Sequence, residues 1–286
     1  FITGKFDLVQ PGDIEEVVVT DCHAFQCQGG YQNYNTRRQT FKDITGIKIA
    51  DDLVAVLSSC ESAFISNIYG ENGNWSNPFG VLASGNTVKV DGILAGTQTG
   101  VQKVIINNIT GKDINLGVAI TQNVNGLNIS NCLFDTLRSS AFSIGTSQKV
   151  TLSNNKAIKA NFNNNVGNAP FQIINCTNIN SKDNSYFGDN LTNGRGFRFT
   201  NCTRLKTNSD FVENAGNIAY HVEGGNDVSI DSIKTVGSSN TTRGVFVDSP
   251  TTRAVIRNIE TIGTYINAGY ADSNLPVSNF KENINP

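Results

Sequence analysis

Along most of the chain, apolar residues come in short runs with an alternating rhythm, and Asn, Asp, Ser or Gly follows each run. One series comprises Phe64-Ile65-Ser66-Asn67, Val88-Lys89-Val90-Asp91, Val104-Ile105-Ile106-Asn107, Leu127-Asn128-Ile129-Ser130 and Val150-Thr151-Leu152-Ser153. It continues through Ile179, Leu205, Val228-Ser229-Ile230 and Val255-Ile256-Arg257-Asn258. Anchored on Ile65, Val90, Ile106, Ile129, Leu152, Ile179, Leu205, Ile230 and Ile256, the steps are 25, 16, 23, 23, 27, 26, 25 and 26 residues. A second series runs ahead of these: Val54-Ala55-Val56, Val81-Leu82-Ala83, Val118-Ala119-Ile120, Phe142-Ser143-Ile144, Phe171-Gln172-Ile173, Phe197-Arg198-Phe199, Tyr220-His221-Val222 and Val245-Phe246-Val247. Each repeat therefore contains at least two short strands.

In a strand, successive side chains point to opposite faces, so each triplet sends its outer residues one way and its middle residue the other. A period of roughly 24 residues, with strands this short and no helical periodicity, predicts an all-β solenoid whose coils stack by parallel pairing. The fold class is a right-handed parallel β-helix of about nine to ten coils, rising about 4.8 Å per coil. Asn suits its corners because it tolerates the left-handed backbone conformation, and stacked Asn side chains can bond along the ladder. Val56, Ile120, Ile144, Phe199, Val222 and Val247 are expected to form one interior column. A leucine-rich solenoid would need a Leu-x-x-Leu-x-Leu frame, which does not occur. Residues 1–45 keep the period poorly and read as an irregular N-terminal coil or cap. The β-helix spans 46–264, and 265–286 reads as a C-terminal cap or the exit into a further domain. The first strand belonging to the 16-residue step has no clear place.

Charge narrows the partners. With 22 basic and 24 acidic residues, a net charge of −2 and only 16% charged positions, no basic footprint for nucleic acid or an anionic membrane exists. No apolar run approaches a membrane span of ~20 residues. The chain has no Met, even at position 1, which reads as a segment of something longer. Six cysteines lack any Cys-x-x-Cys pair and are expected to be small buried hydrophobes rather than disulfides or metal ligands. Cys176 and Cys202 occupy the same place in Ile174-Asn175-Cys176-Thr177 and Thr200-Asn201-Cys202-Thr203, so they should stack inside on adjacent coils. No phosphate-binding loop, dinucleotide fingerprint or metal spacing occurs, and no cofactor is expected.

Ala50-Asp51-Asp52-Leu53-Val54-Ala55-Val56 resembles the Asp-Asp-x-φ-Ala-φ strand of polygalacturonases, glycoside hydrolase family 28, and of pectin-lyase-like phage tailspikes. Gly117-Val118-Ala119-Ile120-Thr121 is similar to their Gly-Val-Arg-Ile-Lys strand, with Ala119 and Thr121 at the Arg and Lys positions. Gly70-Glu71-Asn72-Gly73 stands about where that family has Gly-His-Gly, and no Asn-Thr-Asp precedes the aspartate pair. The resemblance implies acid/base work on a glycosidic bond by Asp51 and Asp52, and the departures from the family's pattern point away from galacturonate, to another substrate or to binding alone. Two adjacent carboxylates can raise one another's pKa, so one keeps a proton for the leaving group while the other activates water.

A second constellation follows from register alone. The outward row of the first-strand ladder is expected to read Ala55, Leu82, Ala119, Ser143, Gln172, Arg198, His221 and Phe246, and the next outward row adds Thr200, Glu223 and Asp248. Glu223 and Asp248, on consecutive coils beside Arg198 and His221, are further catalytic candidates. Arg198, His221, Gln172 and Trp75, the only tryptophan, are the expected glycan-binding residues. The functional expectation is a phage tailspike or tail appendage, on the virion or extracellular, that binds and hydrolyses a cell-surface polysaccharide. As a spike it would be a homotrimer, without membrane insertion. The alternatives are a secreted bacterial polysaccharide hydrolase and a non-catalytic structural or adhesive β-helix.

Overall fold

The computed structural model describes residues 2–4, 14–57, 60–73, 85–92, 100–159, 168–189, 194–248, 250–267, 270–272 and 280–285. Among these every regular element is a strand, and the strands stack in parallel as a β-solenoid of about nine turns. Each turn contributes to three ladders. The first contains Tyr31–Tyr34, Val54–Leu57, Asn86–Asp91, Leu116–Ile120, Phe142–Gly145 and Phe171–Ile174, then the opening halves of Phe197–Asn208 and Ile218–Asp231, then Arg243–Asp248. The second contains Arg38–Ile49, Ser62–Glu71, Val104–Lys112, Asn125–Ser130, Gln148–Ser153 and Thr177–Lys182, then the closing halves of the two long strands, then Thr252–Gly263. The third includes Leu133–Asp135, Lys156–Ile158, Ser185–Phe187, Phe211–Glu213 and Lys234–Gly237.

The corner between the second and third ladders turns on one left-handed residue. Asp21, Asp43, Asn67, Asn108, Asn131, Asn154, Asp183, Ser209, Ser232 and Asn258 all occupy it, with φ between +53° and +57°. This left-handed conformation is costly for most L residues but accessible to Asn and Asp, which is why those types hold eight of these ten corners. Their side chains also bond up the stack: Asn67 Nδ2 donates to Asp43 Oδ1 at 2.8 Å, Asn108 Nδ2 to Asn67 Oδ1 at 2.8 Å, and Asn154 Nδ2 to Asn131 Oδ1 at 2.7 Å.

The expected interior column is present and gains two members, reading Val56, Val90, Ile120, Ile144, Ile173, Phe199, Val222 and Val247, all buried. Beside it, Phe142, Phe171, Phe197 and Tyr220 stack with ring centroids 4.8, 4.2 and 5.1 Å apart. Each fully buried ring contributes on the order of 1.5–3 kcal/mol by leaving water. A polar column also runs inside. Cys132 N donates to Asn155 Oδ1, Asn155 N to Asn184 Oδ1 and Asn184 N to Asp210 Oδ1, at 3.1, 3.1 and 3.0 Å. These side-chain oxygens satisfy backbone donors at the turn, where the ladder bonds are interrupted.

Four expectations change. Val88-Lys89-Val90 belongs to the first ladder, pairing with Val54–Leu57 and Leu116–Ile120, so it supplies the strand that the 16-residue step left without a place. The outward position assigned to Leu82 is accordingly held by Lys89, and Val81-Leu82-Ala83 lies outside the described residues. In the second ladder Val150 pairs with Ile179 and Leu152 with Ser181, then Leu205 with Val228 and Thr207 with Ile230. The anchors at Ile179 and Leu205 are thus displaced by two residues, a shift that keeps every side chain on its face and is invisible to alternation. Finally, Cys22 and Cys27 are only partly buried, in a strand, Glu16–Cys27, whose pairing among the described residues is with Arg38–Ile49. Cys60, Cys132, Cys176 and Cys202 are buried and unbridged. Cys176 and Cys202 are on adjacent coils, where Thr203 N donates to Cys176 O at 3.0 Å.

Candidate functional site

The turn into Val54–Leu57 buries Asp52, whose side chain is 3% exposed, and leaves Asp51 half-buried. Asn86 Nδ2, one coil on, donates to Asp52 Oδ1 at 2.7 Å, and Lys89 Nζ lies 3.6 Å from Oδ2. Lys89 gets there because its strand stacks directly on Val54–Leu57. Burial pushes the Asp52 carboxyl up to about 6, and the charge of Asp51 adds to this; Lys89 and Asn86 pull it down without offsetting burial. Tyr34 belongs to the same group: burial raises its hydroxyl, Lys89 draws it down and both aspartates raise it. The group can hold one proton near neutrality beside an ionisable partner and a cation.

Further along the first ladder, the outward row runs Ala55, Lys89, Ala119, Ser143, Gln172, Arg198, His221, Phe246, with Thr200, Glu223 and Asp248 in the next row. Arg198 donates to Glu223 Oε2 from Nε at 3.1 Å and from Nη2 at 2.7 Å, and Thr200 Oγ1 donates to the same oxygen at 3.3 Å. Burial pushes the Glu223 carboxyl up, but its bond to Arg198 and the surrounding positive charge bring it below its ordinary value. His221 is buried, stacks on Phe246 with centroids 5.2 Å apart, and has Asp248 Oδ2 4.0 Å from Nε2, beyond hydrogen-bond length. Burial, then the charge of Arg195, lower its imidazole to about 4, so it is neutral at pH 7. Gln172 is half-buried and accepts from Ser140 Oγ at 3.4 Å.

The structure therefore brings Arg198, His221, Glu223 and Asp248 together, with Gln172 one coil away, and separates them from Asp51 and Asp52. From Ala55 to Arg198 the row climbs through Lys89, Ala119, Ser143 and Gln172, roughly 24 Å at the usual strand spacing. Trp75 lies outside the described residues. Sequence reasoning missed Lys89, misassigned to another ladder, and it missed Arg195 and Arg243 beside His221 and Phe246. Each of these two precedes the first residue of its triplet by two positions, outside the alternation that gave the facing. It also missed a polar groove at the corner between the first and second ladders, lined by Gln102, Asn123, Asn125, Thr146, Gln148 and Asn175.

No protein-family model matches the chain, and no curated protein matches its sequence. Among solved structures it is similar to the enzymatically active domain of tailspike protein 2 of bacteriophage CBA120, with a TM-score of 0.57 and 10% identity. The match covers 91% of this chain and 42% of that one, so the chain spans less than half the length of its structural neighbour. At this identity the likeness is one of fold, and the chain has the parallel β-helix of a tailspike.

Proposed function

We propose that the protein binds an extended polysaccharide along the outward face of its first ladder and hydrolyses it at Asp51 and Asp52, as a tailspike-type glycoside hydrolase. The observation that carries this reading is the row itself. On a fold shared with a tailspike enzymatic domain, one strand face presents a lysine, amide and hydroxyl groups, and an arginine-carboxylate cluster with an aromatic ring, and a carboxyl poised at about 6 lies in the turn behind that lysine. Such groups match sugar hydroxyls and ring faces. Asp52 is the better proton donor, because Arg198 holds Glu223 ionised, and an ionised carboxylate has no proton to deliver. Asp51, the more open of the pair, acts on the attacking water or the anomeric carbon. Arg198 and Gln172 then serve binding. The location on a virion tail and assembly as a homotrimer belong to the same proposal.

The test is incubation with a panel of capsular, O-antigen and teichoic polymers, read by new reducing ends and by affinity electrophoresis. Wild type is expected to cleave one polymer, and Asp52→Asn to lower turnover by about 10²- to 10⁴-fold with affinity nearly unchanged, since a general acid acts in the transition state. The 3% exposure of Asp52 favours one second reading, an adhesive β-helix in which the aspartate pair is structural. Retention of a polymer by wild type without any new reducing ends would select it.

A further inference from the structure

At the far end of the row, five buried nitrogen atoms on three side chains lack hydrogen-bond partners. Arg195 Nε and Nη1, Arg243 Nε, and both ring nitrogens of His221 are buried without a hydrogen bond. The neighbouring carboxylates do not satisfy them: Glu223 Oε2 takes two bonds from Arg198 and one from Thr200, and Asp248 Oδ2 lies 4.0 Å from His221 Nε2, beyond hydrogen-bond length. An arginine stays charged under all ordinary conditions, and a desolvated guanidinium N–H without an acceptor is costly, so this arrangement is built for an acceptor from outside. The groups form a connected cluster. The charge of Arg195 acts on His221, His221 stacks on Phe246, and the Arg243 guanidinium lies 4.2 Å over the Phe246 ring. The local charge is Arg195, Arg198 and Arg243 against Glu223 and Asp248, with His221 neutral, which leaves an excess of one positive charge. In a chain of net charge −2 with few charged residues, bulk attraction does not explain three arginines within one cluster.

We propose that Arg195, Arg243 and His221 form a subsite for an anionic substituent of the bound glycan, a carboxylate, phosphate or sulfate carried on a sugar, with Phe246 holding His221 and Arg243 in place by stacking. This rests on the polysaccharide-binding reading and narrows it to acidic polymers. Guanidinium forks suit such groups because two N–H bonds can meet two oxygens. A neutral imidazole keeps one N–H for a third bond, and because burial and Arg195 hold it neutral it adds no charge that an empty site would have to bear.

Two measurements test it. The chain has only two histidines, His23 and His221, so the imidazole signals of labelled protein are readily assigned. Titration with glucuronate, inorganic phosphate or sulfate should shift the His221 ring and leave His23 still, and Arg195→Gln or Arg243→Gln should weaken that response at least tenfold. Affinity electrophoresis should then retain the protein on a uronate or phosphodiester polymer, and carboxyl reduction or dephosphorylation should cut retention at least tenfold; which arm responds identifies the anion. A neutral polymer bound as tightly as an acidic one, with no response of His221 to any anion, would overturn the inference while leaving polysaccharide binding intact. A His221 response with no polymer retained would uphold the anion site and remove the glycan reading.

Discussion

Two carboxyl groups in this protein are held far from their ordinary behaviour, and both link structure to pH. Asp210 is fully buried and accepts bonds from Ser181 Oγ, Asn184 N, Asn184 Nδ2 and Tyr220 OH, yet burial outweighs those donors and lifts it to about 6. A carboxyl whose folded pKa is raised binds its proton more tightly when folded. Its stabilising contribution is therefore fully present below about pH 4 and lost as pH rises through about 6, an amount of roughly 2 to 3 kcal/mol for a shift near two units. Asp210→Asn removes that dependence, and the Ser181 and Tyr220 hydroxyls can turn to accept from its amide. Urea denaturation should show the variant gaining about 2 kcal/mol on wild type between pH 4 and pH 7; parallel pH curves for the two proteins would refute the assignment. Asp52 carries the same sign, so hydrolysis that uses its proton should fall about tenfold per pH unit above 6, and an activity that keeps rising through pH 7 would exclude it as the acid. Burial also pushes the thiols of Cys176 and Cys202 up to about 11 and about 12, so native protein should label first at Cys22 and Cys27, as peptide mapping after a brief thiol-reagent pulse would reveal.

At the scale of the strand, the inward residues of each first-ladder triplet are buried whatever the exposure of the residue between them. Phe199 is flanked in its column by Ile173 and Val222 and is completely buried. Phe199→Asp would put an unpaired carboxylate there, a change costing several kcal/mol, and Phe199→Leu would cost only the lost ring contacts, on the order of 1 kcal/mol. Circular dichroism should therefore show the Asp variant unfolded or strongly destabilised and the Leu variant folded. An Asp variant with a normal melting temperature would mean that the column faces outward.

Across the whole molecule, stacking makes the candidate sites physically separate. Roughly 24 Å of rigid ladder lies between Ala55 and Arg198, and residues this far apart with no shared partner act independently. Asp52→Asn should thus abolish turnover without weakening binding, and Arg198→Ala should weaken binding by about 1–3 kcal/mol with the turnover of bound polymer kept, having left the Glu223 carboxylate without its partner. The double variant should show both losses in full. Loss of turnover in Glu223→Gln, with Asp52→Asn active, would instead move the chemistry to the far end of the row.

The sequence by itself determined the solenoid, because a side-chain period of two and a coil repeat near 24 residues are properties of local order. It also determined the corners: Asn and Asp recur where a single left-handed residue is required, as at Asn67, Asn108, Asn131 and Asn154. The facing of Arg198, His221, Glu223 and Asp248 was legible for the same reason. Only the tertiary structure decided which triplet stacks on which. The coils differ in length between Leu57 and Leu116, so Val88-Lys89-Val90 could be assigned to its ladder only by its pairing partners, and with that came the lysine beside Asp52. The enclosure of Asp52, with its raised pKa, depends on neighbours from another coil, Asn86 and Lys89, that no spacing rule reveals. Arg195 and Arg243 lie two coils apart in sequence and outside the alternating triplets. Their convergence on His221 and Phe246 is a product of stacking, in which small local offsets are resolved by what each side chain meets above and below it.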